Sequence, residues 1–271
     1  MTQPLKVGLV YDFDGTLAPG NMQEHSFLPT LGINAADFWA DVKERTRSHN
    51  ADEILVYMWR MLEIARRNNV QVSKDDLKRH GSTLNYVPGV DTWFDRINLY
   101  GTERGLHIEH YIISSGIYEI IRGCSIFPKF TYVFASKFIF ENNVAVWPAT
   151  GINYTSKTQH LFRINKGIKT IWDNSNINKW IPEEERPIPF SRMIFIGDGE
   201  TDVPAMRTVR MQGGCSIAVY DPQKIGSDSA QRVLHGLIAE KRVNFVAPAD
   251  YGDGSQLDLT VKGVLGGIAR R

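Results

Sequence analysis

Residues 7–13 read VGLVYDF and run directly into Asp14-Gly15-Thr16. The stretch is apolar and β-branched, without polar alternation. That is the pattern of a strand buried on both faces of a parallel sheet. Two acids close it, Asp12 and Asp14. Residues two apart on an extended chain point to the same side. Their carboxylates therefore repel unless a cation offsets the charge. In open parallel sheets the ligand site lies beyond the carboxyl ends of the strands, so the residues after each strand are the ones that bear on chemistry.

Outward from this strand, residues 35–80 change character. Apolar side chains fall at helical spacing, as in Ile54, Met58, Met61, Leu62 and Ala65, and no strand-like run interrupts them. Pro88-Gly89 punctuates the end of this block. A helix follows over 91–100, then an apolar strand over 110–114 closed by Ser115-Gly116, and a helix from Tyr118. Strand-like runs at 130–134, 137–140 and 144–147 flank Asn142-Asn143, the signature of a hairpin. Further on come a helix at 156–164, a strand at 193–196 entering Gly197-Asp198-Gly199, and a helix at 203–209. A strand at 216–219, a helix at 225–234 and a strand at 243–246 follow. Ser255, with Asp258 three residues on, caps a last helix running to about Ala269. Strands alternating with helices predict an α/β core around a parallel sheet. The expected division is a core of residues 1–17 and 88–271, with an all-helical lid at 18–87 and a small β-hairpin.

Composition excludes several classes. The 271 residues suffice for a full core without disulfide staples. Thirty-one basic and thirty acidic residues leave a net charge of +1, which offers no basic surface for nucleic acid or membrane. Two cysteines, Cys124 and Cys215, exclude a disulfide framework and a Cys-rich zinc site. The first apolar run is short and ends in acids, unlike a signal peptide, and no 18-residue apolar run occurs. A cytoplasmic protein is the expectation.

The strand ends carry a coherent inventory. Asp12 and Asp14 close the first strand, Ser114 the second, and Asp198 a third, with Asp202 four residues on; Lys157 opens a helix between them. If the sheet aligns these ends, one pocket holds four carboxylates, an ammonium and a hydroxyl. Oxygen-only ligands suit Mg²⁺. Lys157, Ser114 and backbone N–H groups suit phosphate oxygens, Ser115 offering its N–H rather than its hydroxyl. One Asp can attack phosphorus. The other can protonate the leaving alkoxide and then activate water.

Asp12-Phe13-Asp14-Gly15-Thr16, Ile112-Ile113-Ser114-Ser115-Gly116, Lys157, and Gly197-Asp198-Gly199-Glu200-Thr201-Asp202 occur in this order. Together they resemble the four motifs of the haloacid dehalogenase (HAD) superfamily. The resemblance implies a Rossmann-like core with a C1-type helical cap, in the phosphoserine-phosphatase-like branch. It implies that Asp12 is nucleophile and metal ligand, and that Asp14 is general acid/base with its backbone carbonyl on the metal. Ser114, Ser115 and Lys157 would bind phosphate. Asp198 would complete the Mg²⁺ site, and Asp202 would either join it or orient Lys157. The implied substrate is a small phosphomonoester. Asn21 stands about where phosphoserine phosphatases carry a cap Glu, with Glu24 nearby, so the serine substrate is not implied.

Plainer roles stand beside these. Asp202 precedes Pro204 and suits an N-cap. Lys137, Lys166 and Lys169 compete with Lys157 for the phosphate. Glu24 and Arg60 are either specificity groups or solvated helix faces, and the seven histidines show no ligand spacing. Asn153-Tyr154-Thr155 fits a glycosylation pattern only by chance. Two other functions share the motifs: a phosphotransferase or phosphomutase, and a non-catalytic binding protein.

Overall fold

In a computed structural model of the chain, the first strand, β1 (Leu5–Tyr11), has its last five residues buried. Its alternate side chains feed two different cores. Val7, Leu9 and Tyr11 join one cluster with Trp93, Phe94, Ile97, Val261 and Leu265. Val10 points the other way, to Ile113, Phe195, Leu161, Ile164 and Met206. A period of two with both faces apolar is what a strand between two helical layers requires. The structure describes residues 4–223, 226 and 228–270.

After β1 come five helices: α1 (Met22–His25), α2 (Phe27–Thr30), α3 (Ala35–His49), α4 (Glu53–Arg67) and α5 (Lys74–Ser82). The next elements are α6 (Val90–Thr102), β2 (Leu106–Ile117), α7 (Tyr118–Gly123), β3 (Tyr132–Glu141), β4 (Val144–Thr150), α8 (Lys157–Lys166) and α9 (Asn174–Asn178). β5 (Met193–Gly197), α10 (Val203–Met211), β6 (Cys215–Tyr220), α11 (Asp228–Ala239), β7 (Phe245–Pro248) and α12 (Gln256–Ala269) complete the chain. Among the described residues seven strands form one sheet, ordered β4-β3-β2-β1-β5-β6-β7. All neighbours are parallel except β3 and β4. This is the α/β class expected from the alternating pattern.

Local chemistry explains the inserted helices. Asn34 caps α3 by accepting from Ala36 N–H at 2.8 Å, and Asp52 caps α4 by accepting from Ile54 and Leu55 N–H at 2.9 and 3.0 Å. On α4, Ile54, Tyr57, Met58, Met61, Leu62 and Ala65 are buried, a stripe at the expected 3–4 residue spacing. Helix α5 crosses α7 so closely that a Cβ on Gly81 would strike the Ile120 carbonyl, so only glycine fits there.

Two details differ from the sequence reading. The runs at 130–134 and 137–140 are one strand, β3, because Ser136 is buried and its polar atom is hydrogen-bonded. The short helices α1, α2 and α9 have too few residues to show a period. The start of the helix read from Ile225 lies outside the described residues. The hairpin turn is where the Asn pair places it: Asn142 and Asn143 have φ of 47° and 68°. Ser255 accepts from Asp258 N–H at 3.1 Å and caps α12. Among the described residues no helix is long and apolar enough to cross a membrane.

Candidate active site

Parallel pairing brings the strand ends level. Tyr11 of β1 lies opposite Ile112 of β2 and Ile196 of β5. Asp12 and Asp14, Ser114 and Asp198 therefore emerge at one edge. Asp12 N–H donates to the Ile196 carbonyl at 2.9 Å, extending the ladder by one residue and anchoring the Asp12 backbone.

Lys157 ties this edge together. Its Nζ lies 2.9 Å from Asp12 Oδ2 and 2.6 Å from Asp202 Oδ1, and the side chain is fully buried. Burial favours the neutral amine, but the carboxylates of Asp12 and Asp202 outweigh it and hold the lysine above its ordinary range. Asp202 stands at the N-cap position of α10, yet its side chain makes no cap bond. It turns to Lys157 instead. The competing lysines lie elsewhere. Lys137 sits over the Tyr118 ring, Lys169 over the Tyr132 ring, and Lys166 donates to the Ile177 and Lys179 carbonyls.

Oxygens of Asp12, Asp198 and Asp202 all lie within 4.8 Å of one another. Asp202 Oδ2 is buried and has no hydrogen-bond partner. Burial pushes the Asp202 carboxyl up to about 8 although the Lys157 ammonium opposes it, and the neighbouring Asp12 and Asp198 add to the rise. The donor set, oxygen only, fits Mg²⁺. Among the described residues this is the one cluster with metal-ligand spacing.

Asp14 is set apart. Its Oδ1 accepts from Met22 N–H at 2.9 Å, at the start of α1. Burial first, then the Asp12 and Asp198 charges, hold its carboxyl well above the usual carboxylate range. The two acids of one motif thus differ: Asp12 is paired with an ammonium, and Asp14 is raised well above its ordinary range. Gly15 makes the turn between them and the insertion. Its φ is +74°, and a Cβ there would collide with the Asp198 carboxylate.

The Ser114 side follows the strand β2 to a bulge, where pairing with β3 shifts between Ser114 and Ile117. Ser114 is buried, and its Oγ accepts from Gly116 N–H at 2.9 Å. The hydroxyl keeps its own proton to donate. The Ser115 carbonyl accepts from Tyr57 Oη–H at 2.6 Å and from Ser136 Oγ–H at 2.9 Å.

Asp12, Asp14, Ser114, Ser115 and Asp198 border an open cavity of about 440 Å³, whose other walls include Asn21, Gln23, Trp39, Lys43 and Tyr57 from the insertion. Glu24 is engaged by Trp39 Nε1–H and Asn21 Nδ2–H, each at 2.6 Å. Arg60 is buried between Asp41, at 2.5 Å, and Glu63. It is thus neither a cavity wall nor a solvated face. Asn153 donates to Asp52 at 2.6 Å and caps the following turn. Tyr57, Gln23 and Lys43 escape sequence reading. Tyr57 sits on the apolar stripe of α4, where periodicity reads it as core.

A model of the haloacid dehalogenase-like hydrolases matches residues 9–207. The chain is 28% identical to an uncharacterized protein of Borreliella burgdorferi over 93% of both chains. Its fold is similar to a HAD family hydrolase, t0658, from Salmonella enterica subsp. enterica serovar Typhi (TM-score 0.59, 16% identity, 96% of this chain and 72% of that one). It is also similar to a phosphoserine phosphatase solved as a phospho-aspartyl intermediate analogue (0.56, 12%, 96% and 99%). A third likeness is to cytosolic 5'-nucleotidase IIIB bound to cytidine (0.52, 12%, 97% and 86%). At these identities the structural likeness is one of fold.

Proposed function

The chain belongs to the haloacid dehalogenase-like hydrolases, and from that premise we propose that it is a Mg²⁺-dependent phosphomonoesterase working through an aspartyl-phosphate on Asp12. The observation that carries this is the contrast between two acids on one strand end. Asp12 lies 2.9 Å from the Lys157 ammonium, and Asp14, two residues on, has its carboxyl raised well above the usual carboxylate range, by burial first.

Asp12, Asp198 and Asp202, with the Asp14 carbonyl, would hold Mg²⁺. Bound there, the ion shields the phosphate charge from an anionic nucleophile and orients it. Lys157 and the Ser114 hydroxyl neutralise and position the phosphoryl oxygens. An Asp12 oxygen attacks phosphorus as the ester P–O bond breaks, and Asp14 gives its proton to the leaving alkoxide. Asp14, now a carboxylate, takes a proton from water. That water attacks the acyl phosphate, releasing inorganic phosphate and restoring Asp12.

Residues 18–87 act as the cap over this centre, admitting a small phosphorylated molecule and excluding bulk water. Glu24 and Arg60 are committed within the cap, which argues against recognition of phosphoserine by these two charges. Two free, buried thiols suit a reducing cytoplasm. The test is hydrolysis of an aryl phosphate with Mg²⁺. Turnover that needs the metal and yields inorganic phosphate supports the proposal. No turnover of any phosphomonoester with any divalent metal contradicts it.

A further inference from the structure

Resting on that hydrolase reading, we infer that Tyr57 is a positioning residue: its hydroxyl sets the Ser115–Gly116 peptide and, through it, aims the Ser114 hydroxyl at phosphate. The chain of contacts is continuous. Tyr57, on α4 of the inserted helices, donates to the Ser115 carbonyl at 2.6 Å. The N–H at the other end of that same peptide, from Gly116, donates to Ser114 Oγ at 2.9 Å. A peptide fixed at its oxygen is fixed at its N–H, because the unit is planar. An acceptor bond at its oxygen also polarises the N–H. The Ser114 oxygen is thereby satisfied as an acceptor, and its proton is directed away from Gly116, toward the cavity.

The location matters. The peptide lies in the β2 bulge, where the ladder to β3 lapses and cannot hold it. Two side chains replace the ladder at the Ser115 carbonyl. Ser136, from β3 in the core, donates at 2.9 Å and is itself held by Ile152 N–H at 3.0 Å. Tyr57 comes from the insertion. It is buried, with the Trp39 ring edge-on at 5.6 Å. Trp39 in turn is tethered to Glu24. The seating of the inserted helices is thus transmitted to the phosphate-binding serine, so the phosphate end of the site is complete only with Tyr57 in place.

The experiment measures inorganic phosphate affinity in the presence of Mg²⁺, by calorimetry and by competition with hydrolysis. Wild type, Tyr57→Phe, Ser114→Ala and the double variant are compared. Tyr57→Phe keeps the ring on Trp39 and removes only the hydroxyl. It should weaken phosphate and lower kcat/KM about three- to tenfold. The factor should be the same for esters with different leaving groups, since the phosphate end is affected. In the Ser114→Ala background the same change should have little further effect. If Tyr57→Phe does not fold, Ser136→Ala removes the other donor to the same carbonyl and should weaken phosphate in the same direction. Unchanged phosphate affinity in the folded variant, a loss that varies with leaving group, or full additivity with Ser114→Ala overturns the inference. A wild-type protein that neither binds phosphate nor hydrolyses any ester overturns the hydrolase reading with it.

Discussion

Lys157 Nζ stands 2.6 Å from Asp202 Oδ1, with both side chains buried. A buried pair of this kind adds little net stability while both partners are present, but removing one leaves an uncompensated charge. Lys157→Met should therefore cost about 3–5 kcal/mol and abolish turnover. Because it leaves three acids facing one another, added Mg²⁺ should restore part of the lost stability. Urea denaturation with and without the metal checks this. An unchanged midpoint would place the three acids and the lysine in looser contact than the distances indicate.

Asp14 is expected to serve two steps, and a variant separates them. An aryl leaving group needs little protonation, so Asp14→Asn should still release one equivalent of phenol in a burst. Attack by water on the acyl phosphate would then be slow, by about 10²–10⁴-fold. Rapid-quench measurement of phenol release reads both phases. A uniform slowing without a burst would assign the base role to another group.

Acid should destabilise the protein through two buried imidazoles. Burial holds His110 and His160 down at about 3, against about 6.5 in the unfolded chain. Between these values the unfolded state binds more protons, so stability is full above pH 6.5 and falls as the pH drops towards 3. Each residue should contribute a loss of about 2 kcal/mol between pH 7 and 5. His110 is bonded to Tyr11 and Asn98, whereas neither His160 nitrogen has a partner and its ring lies against Phe134. His160→Leu should therefore reduce the acid sensitivity without removing a hydrogen bond. Denaturation midpoints at the two pH values test it; equal pH dependence in the variant would contradict the assignment.

Metal removal gives a further test. Chelation should stop hydrolysis and Mg²⁺ should restore it. Asp198→Asn should raise the Mg²⁺ concentration needed for half-maximal rate, because one of the three carboxylate ligands becomes neutral. Activity that survives exhaustive chelation would rule out the proposed role of the cluster.

Much of this site was legible because its chemistry sits at strand ends. Apolar runs ending in Asp12, Ser114 and Asp198 can be read without knowing which strands are neighbours. Parallel pairing then makes the ends converge. Lys157 was legible by its place at a helix start and Asp202 as one of its candidate partners through the family resemblance, but the contact with Asp12 was not, since the two are distant in sequence. Tyr57, Gln23 and Lys43 were invisible for a different reason. A helix that packs on a core and walls a cavity shows one apolar stripe for both tasks. The Glu24–Trp39 and Arg60–Asp41 pairs are tertiary, so no local pattern announces them. Ser136 falls between two strand-like runs, and the carbonyl on β2 that satisfies its hydroxyl is distant in sequence.

The central claim is that Asp12 becomes covalently phosphorylated. Mg²⁺-loaded protein should be mixed with a phosphoester, quenched in acid within the first turnover, and mapped by peptide mass spectrometry. The expected result is a phosphoryl adduct on the peptide bearing Asp12, absent from Asp12→Asn, which should be folded and inert. An Asp12→Asn protein that still turns over, or a wild-type adduct on another residue, would contradict the account.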